Sequence, residues 1–142
     1  MRIRSVWVKS PFLAIGVAIC FVTNAQTRDF SRQVATIQKA PEAKLLDELS
    51  KMAQGFSKNT PAQIDRITVA LGAIFVRDTK TFIYKYESSE SIDPVKGKAY
   101  LARGNCGDPV LKAFMQRGVT FRHQYIGAAG QFVIDVTYHD CI

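Results

Sequence analysis

Residues 119–141 read VTFRHQYIGAAGQFVIDVTYHDC. Two β-rich runs, Val119 to Ile126 and Gln131 to Cys141, flank Gly127-Ala128-Ala129-Gly130, a short connection of the kind antiparallel hairpins use. Setting Ile126 opposite Gln131 puts Phe121 against Val136, His123 against Ile134 and Tyr125 against Phe132 on one face. The other face then pairs Arg122 with Asp135 and Thr120 with Thr137. A single register thus separates an apolar face from a polar one that carries an opposite-charge pair, as a half-covered sheet requires. Something must cover the apolar face.

The segments upstream supply the cover. Asp108-Pro109 has the form of a helix cap followed by its first residue, and Val110, Leu111, Phe114 and Met115 form an apolar stripe that stops at Gly118. Asp93-Pro94 repeats the device and predicts a helix to about Arg103, ended by Gly104. Between these helices and the next lies a second hairpin: β-rich residues from Ile67 to Val76, a polar turn Arg77-Asp78-Thr79-Lys80, and TFIYKYE at 81–87 with Phe82, Tyr84 and Tyr86 on one face. Thr60-Pro61-Ala62-Gln63 has the spacing of a capping box and predicts a short helix. Pro41 opens an amphipathic helix with Leu45, Leu46, Leu49 and Met52 on one face, and Gly55 is its expected stop. Its polar face mixes Glu42, Asp47 and Glu48 with Lys44 and Lys51, which suits packing on a sheet better than lying on a membrane. Residues 26–40 show no sustained period and are expected to be a flexible lead-in. The expected fold is a single α+β domain over residues 41–142, in the order α, α, β, β, α, α, β, β, with about four antiparallel strands and the helices on one face.

The chain begins with Arg2, Arg4 and Lys9, continues with an apolar run from Pro11 to Val22 and ends this stretch in small polar residues at Ala25. That is the order of a secretory signal peptide, residues 1–25, cleaved after Ala25 to leave Gln26 first. The apolar run is shorter than the roughly 20 residues of a membrane span. Two alternatives are an uncleaved anchor and a lipid on Cys20, although Ile19 is bulkier than the residue that precedes a lipidated cysteine. Without the three basic residues of the leader, the formal charge of +7 falls to +4, and the remaining charges are well mixed. Nucleic-acid binding calls for a clustered basic stripe, which is lacking here. The remaining 117 residues suffice for one core and are too few for two. The expected location is the periplasm or the exterior.

With the leader removed, Cys106 and Cys141 remain in a chain sent to an oxidising compartment, and an even count there reads as a disulfide. Closing that loop stabilises the fold by about 4 kcal/mol in the chain-entropy model. His123 and His139 are the only imidazoles. The hairpin register puts them on opposite faces at opposite ends, so they do not share a metal ion, and His123 is expected at the core edge with one hydrogen bond. His139-Asp140-Cys141, taken as strand residues, point alternately to opposite faces and make a poor catalytic dyad. Asp93 and Asp108 are accounted for as caps and Asp135 as the partner of Arg122. No catalytic, metal or cofactor-binding residues are assigned, and no enzyme activity is expected.

CGDPVLKAFMQRGVTFRHQYIGAAGQFVIDVTYHDC, residues 106–141, resembles the C-terminal part of the small pilotins of the AspS (GspS-beta) type, which assist outer-membrane assembly of a type II secretion secretin. The shared features are Cys106 before Asp108-Pro109, an amphipathic helix ending at Gly118, two strands around a turn at Gly130, and the closing Cys141. The resemblance implies an α+β domain with a disulfide and a non-catalytic role in binding a secretin's C-terminal segment. Similar endings occur in other small secreted bacterial proteins. The expected function is a periplasmic accessory protein that binds a protein or peptide of the cell envelope. The alternative is an immunity or inhibitor protein against a toxin or hydrolase. No nucleic-acid partner is expected, and membrane contact only through the leader or a lipid on Cys20.

Overall fold

In the computed structural model, residues 19–128 and 130–142 are described, with side chains from Asp29 onward. The expected leader therefore lies outside the described residues as far as residue 18, and so does the side chain of Cys20. The elements in chain order are α1 (Ile19–Lys39), α2 (Glu42–Lys58), β1 (Ala62–Gln63), β2 (Thr68–Val76), β3 (Thr81–Ser88), α3 (Pro94–Gly107), α4 (Pro109–Gln116), β4 (Thr120–Gly127), β5 (Gly130–Val136) and a closing 3-10 turn at Tyr138–Cys141. Among the described residues, no helix is long and apolar enough to cross a membrane.

The hairpin of β4 and β5 has the register read from its side chains, Phe121 with Val136, Arg122 with Asp135, His123 with Ile134 and Tyr125 with Phe132. The ladder continues to Gly127 with Gly130, so the connection is two residues shorter than the sequence suggested. Gly127 has a further reason to be glycine: a Cβ there would lie 2.5 Å from the Ser88 carbonyl oxygen of β3. At the other end β5 stops at Val136, and Thr120 and Thr137 do not pair. The Asp140 carboxylate accepts from the Thr137 backbone N–H at 2.8 Å and its hydroxyl at 3.2 Å, curling residues 138–141 into the 3-10 turn.

Among the described residues, the sheet has five strands in the order β1-β2-β3-β4-β5 and is mixed, where about four antiparallel strands were expected. β3 and β4 run parallel, Thr81 beside Thr120 through Ser88 beside Gly127. The two helices between them explain this. α3 runs back along the sheet, placing Asn105 beside His123 and Cys106 beside Cys141. α4 then turns at that end, so β4 starts where β3 started, with Thr120 N–H donating to Lys80 at 3.0 Å.

The fifth strand is β1, where a helix start was expected. The Thr60 hydroxyl donates back to the carbonyls of Ser57 and Leu71 and caps nothing ahead of it, leaving Ala62 and Gln63 to pair with Ala70 and Val69. The helix before it runs past Gly55 to Lys58, because Phe56 packs edge-on against Tyr84 and the Ser57 hydroxyl bridges the Ala73 backbone. α3 likewise continues past Gly104 to Gly107, held by its buried Asn105.

Among the described residues, the four helices lie on one side of the sheet, with α1 packed on α4. Leu45, Leu49 and Ala53 of α2, Phe114 and Met115 of α4, Phe82, Phe121 and Val136 of the strands and Ile37 of α1 form one core. Ala70, Tyr86, Tyr125 and Ile134 form a second cluster under α3. The Cys106–Cys141 disulfide, with Cα atoms 5.4 Å apart, ties the end of α3 to the closing turn. The opposite sheet face is open, with Ile74, Ile126 and Val133 exposed around the bidentate Arg122–Asp135 pair.

Candidate functional site

Residues 26–39, expected as a loose lead-in, belong to α1, and Ile37 on it is buried. Phe30, Val34 and Ile37 stand at i, i+4 and i+7, a short helical signal diluted by the polar residues between them. What fixes α1 in place is a long-range contact. The Arg117 guanidinium at the end of α4 donates to the carbonyls of Ile37, Gln38 and Ala40 at 2.8, 3.0 and 3.1 Å, satisfying the C-terminal carbonyls of α1. Arg117 also lies 3.6 Å from Glu42 at the start of α2. The Lys80 ammonium, hydrogen-bonded to Glu42, holds that carboxyl below its ordinary range, with Arg117 helping.

Between α1 and α2 this arrangement leaves a groove of about 580 Å3. Its floor is apolar: Ile37 of α1, Leu45 and Met52 of α2, and Val110 and Phe114 of α4. The rims are polar and of mixed sign, with Asp29, Arg32 and Thr36 along α1 and Lys44 and Glu48 along α2. The α2 rim follows from the amphipathic pattern, since Lys44 and Glu48 are one turn apart. An apolar trough between two helices, edged by both charges, has the shape and chemistry to receive an amphipathic helix.

His123 is placed differently. It is 3 % exposed, its ring stacked on Tyr84 and Tyr86 at centroid distances of 5.2 and 5.9 Å. Its Nε2 lies 3.4 Å from Asn105 Nδ2 and its Nδ1 3.3 Å from the Tyr86 hydroxyl. With the amide donating and the hydroxyl oxygen accepting, both nitrogens of a neutral ring are satisfied. Burial disfavours the imidazolium and pulls the ring down to about 4, while the Asp135 charge offsets this only in part. Burial likewise pushes the Tyr84 phenol up to about 12 and Tyr86 up as well. The cluster is a packed polar core with two partners for the histidine, where the sequence suggested one. It lies in the sheet under α3 and does not line the groove between α1 and α2.

The other titratable residues singled out in the sequence are dispersed. Asp93 and Asp108 each accept two backbone N–H groups at the start of α3 and α4. Asp135 is held by Arg122, which keeps its carboxyl below the ordinary range. His139 is exposed on the closing turn, and Asp140 is occupied with Thr137 and with Lys98 at 2.9 Å. His139, Asp140 and Cys141 lie in that turn and not in a strand, and Cys141 is bonded to Cys106. Among the described residues, no three of His, Cys, Asp and Glu are grouped to hold a metal ion.

Two solved structures share this fold. One is a Pseudomonas aeruginosa protein described as secreted, with a TM-score of 0.61 at 15% identity, covering 71% of this chain and 96% of that one. The other is EpsS, the pilotin of the Vibrio vulnificus type 2 secretion system, with a TM-score of 0.60 at 15% identity, covering 71% of this chain and 94% of that one. No family model and no curated protein matches the chain.

Proposed function

We propose that this chain is an exported, non-catalytic accessory protein of the cell envelope that holds an amphipathic helical segment of another protein in the groove between α1 and α2. The groove carries the proposal. Its floor is apolar, and its rims offer both an acid and a base along each helix, Asp29 with Arg32 and Glu48 with Lys44. A helix bearing an apolar stripe flanked by both charges would bury the first and pair the second. The likeness in fold to a type 2 secretion pilotin supports the same kind of role, and by the resemblance of residues 106–141 to AspS-type pilotins the segment would be the C-terminal stretch of a secretin.

The test uses a synthetic peptide of a secretin's C-terminal segment from the same genome, titrated into the isotopically labelled protein. Shifts concentrated on Arg32, Thr36, Lys44, Glu48 and Met52 are expected, with at least tenfold weaker binding to Thr36→Trp, which fills the groove from an exposed position. Shifts confined to the open sheet face, or full affinity in Thr36→Trp, would overturn the groove assignment. Absence of binding would remove the secretin as partner.

A further inference from the structure

The two edges of the sheet are built unlike one another. On one side β1 covers only Val69 and Ala70 of β2, and at and past the register shift between Ala70 and Gly72 the Ser57 and Thr60 side chains bond the Ala73 and Leu71 backbone, so this edge offers little to a new strand. The β5 edge is seven residues of unbroken register, GQFVIDV, with no proline, no lysine and no bulge. Its one charged side chain, Asp135, is paired with Arg122 of β4, and the strand carries no other device that blunts an edge.

Alternation along β5 says which groups face outward. The hairpin closes on Gly127 with Gly130, the hydrogen-bonded type of pair in a two-residue connection, so 130, 132, 134 and 136 bond to β4. The N–H and C=O groups of Gln131, Val133 and Asp135 therefore point to the free edge. This set is symmetric about Val133. Laid antiparallel against a second copy of itself, β5 sets Val133 against Val133, Gln131 against Asp135, and Phe132 against Ile134. Outward groups meet outward groups, apolar side chains meet apolar ones, and the one charged residue meets an amide. The register one pair along would lose this: two-fold symmetry about Asp135 would bring like charges together.

The surface beside the edge fits the same partner. Pro94, Val95, Ala99 and Ala102 of α3 line an apolar trough that ends at Lys98 and Asp140. Val95 is 79 % exposed. Gly97 lets α3 sit down on Ile134 of β5, where a Cβ would meet the Ile134 side chain at 3.0 Å. The trough thus borders the edge, and Lys98, which acts on Asp135, is already tied to Asp140. A stable interface buries about 1,200–2,000 Å2 in all, more than a strand edge supplies. The α3 faces of two copies, brought side by side across the two-fold axis, add the apolar area that the edge lacks.

We propose that two copies of this chain join through their β5 edges in antiparallel register centred on Val133, with the two α3 faces packed alongside, to form a continuous ten-stranded sheet. The dimer leaves the groove between α1 and α2 of each copy free.

Sedimentation equilibrium of the exported protein, from micromolar to submillimolar concentration, tests this directly, and a two-fold mass is expected. Val133→Pro removes an outward N–H without touching the β4 ladder, and Val95→Glu charges the α3 trough at an exposed site. Each should return the protein to monomer with an unchanged circular dichroism spectrum. Val133→Cys should form an intermolecular disulfide under mild oxidation, because the paired Cα atoms would lie about 5.5 Å apart. Gln131→Cys should not, since its own copies would stand roughly 14 Å apart at about 3.4 Å per residue. A monomer throughout the concentration range, a dimer that survives Val95→Glu, or equal cross-linking of both cysteine variants would overturn the proposal.

Discussion

His123 carries the clearest pH signature in the molecule. Its folded-state value of about 4, set mainly by burial, lies below the value near 6.5 of a free imidazole. Between those two values the unfolded chain binds more protons than the folded one. The stability contributed by keeping the ring neutral is complete above about pH 6.5 and is lost as pH falls toward 4, by up to about 3 kcal/mol. Urea midpoints taken between about pH 7 and pH 4 should fall for the native protein and fall less for His123→Phe. Parallel slopes would assign the loss to other groups. Phe121, fully buried between Phe82 and Tyr84, makes a simpler prediction. Phe121→Ala should cost about 3–5 kcal/mol in denaturant unfolding, through lost burial and the cavity left behind. That His123 faces the core was legible from alternation along its own strand. Its second partner was not, because Asn105 is 18 positions away and reaches the ring only once α3 lies on the sheet.

The starts of α3 and α4 were legible because a cap is a local device, whereas the cap-like Thr60-Pro61 misled because its hydroxyl bonds backward. Asp108 accepts from Val110 N–H at 2.8 Å and Leu111 N–H at 3.1 Å, all within four residues. Asp108→Ala should lower stability by about 1 kcal/mol, with loss of amide protection at the start of α4 in hydrogen exchange. Helix ends were read less well. Gly55 and Gly104 look like stops, but neither takes a left-handed conformation, and tertiary contacts carry both helices onward. A pair of glycine substitutions separates the local from the long-range. Gly104→Ala meets nothing within 4 Å and should stabilise α3 by about 0.5–1 kcal/mol. Gly127→Ala would drive a methyl group into the Ser88 carbonyl and should destabilise by about 1–3 kcal/mol. Thermal unfolding of the two variants should move in opposite directions. Because Ser88 is opposed to Gly127 only in the parallel pairing of β3 and β4, a harmless Gly127→Ala would count against that pairing.

At the scale of the whole chain, the Cys106–Cys141 bridge joins α3 to the closing turn across 35 positions. Replacing both cysteines by serine should lower stability by about 4 kcal/mol, measured in urea against the oxidised protein. The loss should appear first as exchange in the Tyr138–Cys141 turn. The α+β class, the faces of β3, β4 and β5, the register of the β4–β5 hairpin and the cysteine pair all follow from sequence, because each rests on period-two alternation, a short turn or a count; β2 does not, since a register shift between Ala70 and Gly72 breaks its alternation. The direction of β4 does not, since a strand alternates identically whether its neighbour runs parallel or antiparallel. Nor does the groove. α2 shows its amphipathic face in sequence, but α1 has only Phe30, Val34 and Ile37 to mark it, and its position depends on Arg117, nearly 80 residues away, closing over its last carbonyls. Local chemistry determines most of the elements and their faces; the crossover of α3 and α4 and the reach of Arg117 act between segments far apart in sequence, and they decide how the sheet is ordered and where the groove between α1 and α2 forms.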